Sequence, residues 1–108
     1  MDGLKIERLR ELCEAGQLIW SSHMMKRLLE RGISREDVKS CIMTGEPIEQ
    51  YPIDYPYPSC LVFGYTCKNK VLHVVVGEGQ DQLWIVTAYW PDPEKWDKSL
   101  KIRREKQP

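Results

Sequence analysis

The sequence carries no excess charge of either sign and contains no long hydrophobic run. Its 16 basic and 16 acidic residues cancel over 108 positions, so the chain lacks the overall positive charge that is typical of nucleic-acid-binding domains. The longest apolar and aromatic run covers residues 83–90, far short of the roughly 20 residues that a membrane-spanning helix needs. The first residues are charged and include no apolar signal-peptide core. We therefore expect a cytoplasmic protein that does not bind a membrane.

Several motifs of familiar catalytic and metal sites are also missing. The sequence has no C-x-x-C pair, no glycine-rich phosphate loop, no Ser-His-Asp pattern and no carboxylate pair at metal-ligand spacing. We interpret its four cysteines as reduced and buried residues: Cys13, Cys41, Cys60 and Cys67. Cys60 and Cys67 lie an odd number of residues apart on one predicted strand and point to opposite faces, so together with His73 they make a poor zinc site. We expect no metal and no cofactor.

The composition that remains is that of an ordinary globular domain. The chain is 42% hydrophobic and 30% charged, and its length suits one modest core. The charge is uneven, because six basic and two acidic residues follow from Lys95 onward, which leaves +4 there and −4 in the preceding part. We expect one domain over residues 1–94 and a basic C-terminal helix or tail over residues 95–108.

The spacing of apolar residues predicts helices in the first half of the chain and strands in the second. Three helices are expected over about residues 2–14, 22–32 and 34–45, the third opened by a capping-box pattern at Ser34 and Asp37. Residues 18–20 are typical of a brief strand, and the Pro-rich and Tyr-rich stretch 46–59 of at most an edge strand and a loop. Three firmer strands follow over residues 60–67, 71–76 and 83–89, joined by hairpin-length connections.

This order of elements predicts an α+β fold with N-terminal helices packed on one face of an antiparallel β-sheet. The residues expected in its core are Leu28, Leu29, Val38, Ile42, Val74, Trp84 and Val86.

The second predicted helix has one basic face that also carries an imidazole. His23, Lys26, Arg27 and Glu30 fall within about 60° of one another on a helical wheel, opposite a stripe of Met and Leu. An imidazole beside cationic groups is suited to general base catalysis next to a phosphate. The alternative is an ordinary solvated face with His23 packed against Trp20.

The last predicted hairpin offers a second candidate group. If no bulge intervenes, the even-numbered residues of its two strands form an apolar core face, and His73, Thr87 and Tyr89 share the opposite, exposed face. An imidazole, a hydroxyl and a phenol on one face are suited to bind and cleave a phosphodiester. The alternative is a half-buried sheet face without chemistry.

Five segments carry a family resemblance that extends over nearly the whole chain: Trp20–His23, Glu30–Ser34, Gly45–Glu49, Leu72–Val75 and Thr87–Tyr89. In this order they resemble a small prokaryotic family of domains of unknown function that is distantly related to RelE-like and BrnT-like toxins. The resemblance implies a RelE-like α+β fold whose uncovered sheet face cuts RNA. It also implies a cognate antitoxin protein as partner, often one with a YgiT-type zinc finger. The residues that match the pattern are His23, Arg31, His73, Thr87 and Tyr89.

Our leading hypothesis is a toxin of a type II toxin–antitoxin pair that acts as a metal-independent endoribonuclease on RNA. The predicted catalytic residues are His23 or His73 as base and Tyr89 as proton donor. The predicted substrate-binding residues are Lys26, Arg27, Arg31 and Thr87. A non-catalytic protein-interaction module of the same fold is the alternative, favoured by the neutral net charge. A DNA-binding regulator has only the basic tail in its favour.

Overall fold

The computed structural model describes residues 3–104, which form three helices and a five-stranded sheet. The helices are α1 (Ile6–Glu14), α2 (Ser22–Arg31) and α3 (Arg35–Thr44). The strands are β1 (Leu18–Ile19), β2 (Glu46–Tyr51), β3 (Ser59–Tyr65), β4 (Val71–Gly79) and β5 (Gln82–Tyr89). The predicted α+β class is confirmed, as is the brief strand between the first two helices. Among residues 3–104, none of the helices combines the length and apolarity that crossing a bilayer requires.

Helix α2 is held at both ends by capping interactions that its sequence provides. At the start, the Ser21 side chain accepts a hydrogen bond from the Met24 backbone N–H at 3.0 Å. At the end, Gly32 adopts a left-handed conformation with φ of 67°, which glycine reaches without steric cost. These caps fix His23 in the first turn and Arg31 in the last turn of the helix.

The predicted capping box of α3 is present as well. The Ser34 side chain accepts from the Asp37 N–H, and the Asp37 side chain accepts from the Ser34 N–H. The start of α1, by contrast, lies at Ile6 rather than near residue 2, and residues 1–2 lie outside the described residues.

The sheet is mixed, with strand order β1-β5-β4-β3-β2. Strands β2 to β5 are antiparallel neighbours, whereas β1 runs parallel to β5. The expectation of a wholly antiparallel sheet is therefore wrong at this edge. Because β1 pairs only with Leu83 and Trp84, the edge of β5 over residues 85–89 has no strand partner within the described chain.

A bulge in β5 changes which of its side chains face the core. Val75 of β4 pairs with Thr87, but the next residue, Val76, pairs with Ile85. The extra residue reverses the inside–outside alternation, so Ile85 is buried while Val86 is 51% exposed.

The predicted core is confirmed in part. Leu28, Val38, Ile42 and Val74 are buried. Trp84 and Val86 are not in the core because of the bulge. Leu29 is not in the core because it lies off the buried stripe of α2, with 82% of its surface exposed.

Each face of the sheet has its own hydrophobic cluster. The larger cluster combines buried side chains of all three helices with those of β3, β4 and β5. The smaller cluster contains Leu61 and Val75 on the opposite face together with Trp96. Trp96 belongs to residues 91–104, which we call the C-terminal strap. The strap covers the sheet face that was predicted to be exposed, so that prediction is wrong.

The strap is not a helix. Trp96 and Arg103 form an isolated β-bridge, and turns stabilised by the Asp92 and Asp97 carboxylates shape the segment between Trp90 and Leu100. Of the two alternatives expected from residue 95 onward, a helix or a tail, the helix is not formed up to residue 104, and residues 105–108 lie outside the described residues. The division into a domain of residues 1–94 and a separate tail stays a prediction.

Candidate functional site

An open cleft of about 310 Å³ lies between α2 and β5. We call it the α2–β5 cleft, and it is lined by His23, Met24, Arg27, Arg31, Val86 and Thr87. Four predicted site residues thus line one cleft: His23, Arg27, Arg31 and Thr87. In the sequence, Thr87 belongs to the last hairpin and the other three residues to α2. The open edge of β5 beside α2 brings the two groups together.

Arg31 spans the open edge of β5. Its Nη1 donates to the Ala88 carbonyl oxygen at 2.7 Å and to the Thr87 hydroxyl at 3.3 Å. The bond to Ala88 joins the Arg31 guanidinium to the backbone of β5. A guanidinium has five N–H donors, so Arg31 keeps donors for an anion in the cleft while its position stays fixed.

His23 and Arg27 lie one helical turn apart on α2, and both side chains are exposed. None of the described residues that line the cleft carries a carboxylate. The cleft is therefore locally cationic within a chain of zero net charge, and an anion such as a phosphodiester would be attracted to it. Lys26 is exposed on the same helix but does not line the cleft.

His73 is fully buried, so its predicted place on an exposed sheet face is wrong. The strap covers it: the ring centroid of Trp96 lies 4.6 Å from that of His73, and the His73 Nε2 lies 2.7 Å from the Leu100 carbonyl oxygen. Because a carbonyl only accepts, Nε2 carries the proton and Nδ1 faces the Tyr89 hydroxyl at 3.4 Å. Burial lowers the pKa of His73, and the Leu100 hydrogen bond only partly opposes this effect.

Tyr89 lines a second open cleft of about 370 Å³. We call it the β5–strap cleft, and its lining residues are Tyr89, Trp90, Asp92, Lys95, Trp96 and Arg103. Burial raises the pKa of Tyr89, so its phenol is protonated at neutral pH. The structure thus places Tyr89 and His23 in different clefts. Sequence reasoning missed this second cleft because one of its walls is the strap.

An ionic network fastens the strap to the sheet. Arg103 Nε donates to Glu49 Oε2 at 2.8 Å, and the Tyr51 hydroxyl donates to Glu49 Oε1 at 2.5 Å. Burial alone would raise the pKa of Glu49, but the hydrogen bonds from Arg103 and Tyr51 hold it below its usual value. Burial and the bond to Glu49 raise the pKa of Tyr51 to about 12.

A third cleft, of about 260 Å³, lies beside the loop between β2 and β3. Tyr55, Tyr57, Trp84 and Val86 contribute to its lining. Tyr57 packs against Trp84 with ring centroids 5.5 Å apart, whereas Tyr55 is 91% exposed. This loop presents apolar surface that the core does not use.

The cysteines follow the sequence interpretation with one exception. Cys13, Cys41 and Cys60 are buried and free, but Cys67 is exposed. Burial raises the pKa of Cys41 and of Cys60 to about 12, which keeps both as unreactive thiols. Among residues 3–104, His, Cys, Asp and Glu side chains nowhere gather in the threes that would hold a metal ion.

These features define a small α+β domain with a histidine and arginine cleft at the open edge of its sheet. Residues 20–90 match the family model described as "Domain of unknown function (DUF4258)", and the chain belongs to this family. The matched segment contains all four predicted residues of the α2–β5 cleft and ends where the strap begins. No curated protein and no solved structure matches the chain.

Proposed function

We propose that this protein is a metal-independent endoribonuclease and the toxin of a type II toxin–antitoxin pair that acts in the cytoplasm. The observation that carries the proposal is the α2–β5 cleft, where an exposed imidazole and two guanidinium groups line one space and none of the described lining residues carries a carboxylate. RNA cleavage without a metal needs a group that moves a proton and cations that stabilise the phosphate charge. His23, Arg27 and Arg31 supply both.

In the proposed reaction the ribose 2′-oxygen attacks the adjacent phosphorus. The O2′–P bond forms while the P–O5′ bond breaks, which leaves a 2′,3′-cyclic phosphate and a free 5′-hydroxyl. His23 takes the proton of the 2′-hydroxyl, and Arg27 and Arg31 stabilise the extra negative charge on the phosphorane. We assign the base to His23 rather than His73 because the strap shields His73 from solvent.

The departing 5′-oxygen also needs a proton. Tyr89 remains the predicted donor because its raised pKa keeps the phenol protonated at neutral pH. Since Tyr89 lines the β5–strap cleft, this role requires RNA that spans both clefts. Thr87 is proposed to position the phosphate beside Arg31, and Lys26 to attract RNA from outside the cleft.

We further propose that the fold is RelE-like, with the helices on one face of the sheet. The hydrophobic cluster that all three helices share with β3, β4 and β5 supports this arrangement. The proposed partners are RNA and a cognate antitoxin protein, which in related operons often carries a zinc finger.

The test of the nuclease is cleavage of a long unstructured RNA in EDTA, with and without ribosomes. His23→Ala is expected to lower the rate by about 10²- to 10⁴-fold, the usual worth of a general acid–base group. Arg27→Ala should lower it as well, because an exposed cation of the cleft is lost. Thermal melts of both variants should match those of the wild type, since both side chains are exposed.

Lys39→Ala is the matched control, because it removes an exposed cation from α3, away from the lining of the cleft. Its cleavage rate should equal that of the wild type. If the wild-type protein leaves RNA intact in both conditions and its expression does not slow growth, the nuclease proposal fails. A non-catalytic interaction module then takes its place, and the exposed apolar loop beside the third cleft favours that second function.

A further inference from the structure

The lining of the β5–strap cleft includes one exposed aromatic ring, that of Trp90. Trp96 also lines this cleft, but it is only 2% exposed and is held between the Arg103 guanidinium and His73. Trp90, in contrast, is 37% exposed. Tryptophan is enriched at binding interfaces, because its ring supplies apolar contact area and its N–H finds a hydrogen-bond partner.

The Trp90 ring is held in position although it is exposed. Its Nε1–H donates to the Arg31 carbonyl oxygen at 2.8 Å. The Lys70 ammonium lies 5.7 Å from the ring centroid, at cation–π distance. A fixed ring loses little conformational freedom when a ligand stacks on it.

The bond to Arg31 also links the two clefts. Arg31 lines the α2–β5 cleft, and its own carbonyl holds the ring that lines the β5–strap cleft. Thr87 and Trp90 are three positions apart in the sequence, which corresponds to about 10 Å along an extended chain. This length equals about three stacked nucleotides at the 3.4 Å rise of one DNA strand, so a short single strand reaches both clefts.

The two clefts differ in the charges of their lining side chains, so they suit different parts of a nucleotide. The α2–β5 cleft has cationic groups and no carboxylate among its described lining residues. The β5–strap cleft contains one ammonium, of Lys95, and one carboxylate, of Asp92, whose charges offset each other, and its Arg103 is already paired with Glu49. An uncharged aromatic base therefore fits beside Trp90 better than a phosphate does.

We propose that Trp90 is a stacking platform for a nucleobase of single-stranded RNA, and that a phosphate within about three nucleotides of that base lies in the α2–β5 cleft. This inference rests on the proposed ribonuclease function and adds its substrate class: RNA with an unpaired base within about three nucleotides of the phosphate that is cleaved. A base within a duplex is already stacked on both sides, so it cannot stack on the Trp90 ring.

The test is the binding of fluorescein-labelled 2′-O-methyl RNA hexamers, which lack the attacking hydroxyl and stay intact. Stacking of a base on an aromatic side chain is worth about 1–3 kcal/mol. Trp90→Ala should therefore weaken binding of the base-bearing hexamer about 5- to 150-fold. An abasic hexamer of the same length should bind the variant and the wild type equally.

Two further variants separate stacking from folding. Trp90→Phe keeps a ring but removes the Nε1–H, so it should retain most of the affinity. Tyr55→Ala removes an exposed ring from the third cleft and should leave binding unchanged. Equal affinity of Trp90→Ala and wild type for the base-bearing hexamer would overturn the proposal. An equal loss for both hexamers in Trp90→Ala and Trp90→Phe would also overturn it, because the ring would then act only by supporting Arg31.

The same assay distinguishes this inference from the proposed function. If Arg27→Ala weakens both hexamers while Trp90→Ala weakens neither, the phosphate cleft stands and the stacking platform is rejected. If the wild type binds neither hexamer, both proposals fail. Binding of adenosine monophosphate as tight as that of the base-bearing hexamer would assign the ring to free nucleotides and reject the single strand.

Discussion

The His73 imidazole is a buried titratable group whose surroundings favour its neutral form. It lies between the Leu100 carbonyl and the Tyr89 hydroxyl, with the Trp96 ring against it. Burial lowers its pKa, the Arg103 charge acts in the same direction, and the Glu49 charge opposes them. Protonation would place a charge in an apolar site and replace the Nδ1 acceptor with a donor.

We expect the free energy of unfolding to fall as the pH is lowered through about 6.5, the ordinary value of a histidine pKa. With the folded-state pKa lowered, the unfolded chain binds the proton first, so this stability is present above about pH 6.5 and lost below it. Urea unfolding between pH 7.5 and pH 5 measures the slope. His73→Gln should reduce the stability but remove most of the slope, whereas exposed His23→Gln should keep it. A wild-type free energy that stays constant over this range would contradict the expectation.

At the scale of elements, local signals were sufficient for the ends of α2 and the start of α3 and for the existence of the strands. The caps at Ser34 and Gly32 involve residues only three or four positions apart in the chain, so the sequence predicts them directly. The bulge in β5 has no such signal. It depends on how β5 packs against β4 and the core, and it moved Val86 outward and Ile85 inward.

The strap is the element whose role no sequence pattern indicated. Its prolines and weak periodicity suggest a tail, yet Trp96 is buried against Leu61 and Val75.

Trp96→Ala should lower the free energy of unfolding by about 3–5 kcal/mol, as is usual when a buried aromatic side chain is removed. Urea unfolding measures the loss. Ile102→Ala is the control, because Ile102 lies on the same strap but is 65% exposed. Equal stability of the wild type and Trp96→Ala would mean that the strap does not hold the sheet in solution.

At the scale of the whole molecule, the residue types of the candidate site could be predicted but not their grouping. Helical spacing, the alternation of side chains along a strand and the family resemblance predicted four residues of the site: His23, Arg27, Arg31 and Thr87. Their meeting depends on the two-residue length of β1, which leaves the edge of β5 open beside α2. His73 was misplaced because the strap folds back from the C-terminal end of the chain over the sheet.

The last prediction concerns the proposed protein partner. The loop between β2 and β3 exposes Ile53 and Tyr55 almost completely, at 96% and 91%, next to a cleft of about 260 Å³. Exposed aromatic and aliphatic side chains beside a cleft are typical anchors of protein interfaces.

If the protein is a toxin, co-expression with the product of the neighbouring gene should yield one co-eluting complex in size-exclusion chromatography. The double variant Ile53→Ser and Tyr55→Ser should weaken that complex by tenfold or more, since two anchors of roughly 1 kcal/mol each or more are lost. Ile102→Ser removes an exposed apolar side chain from the strap and should leave the complex intact. Two proteins that elute independently would reject the antitoxin partner, and a complex insensitive to the double variant would place the interface elsewhere.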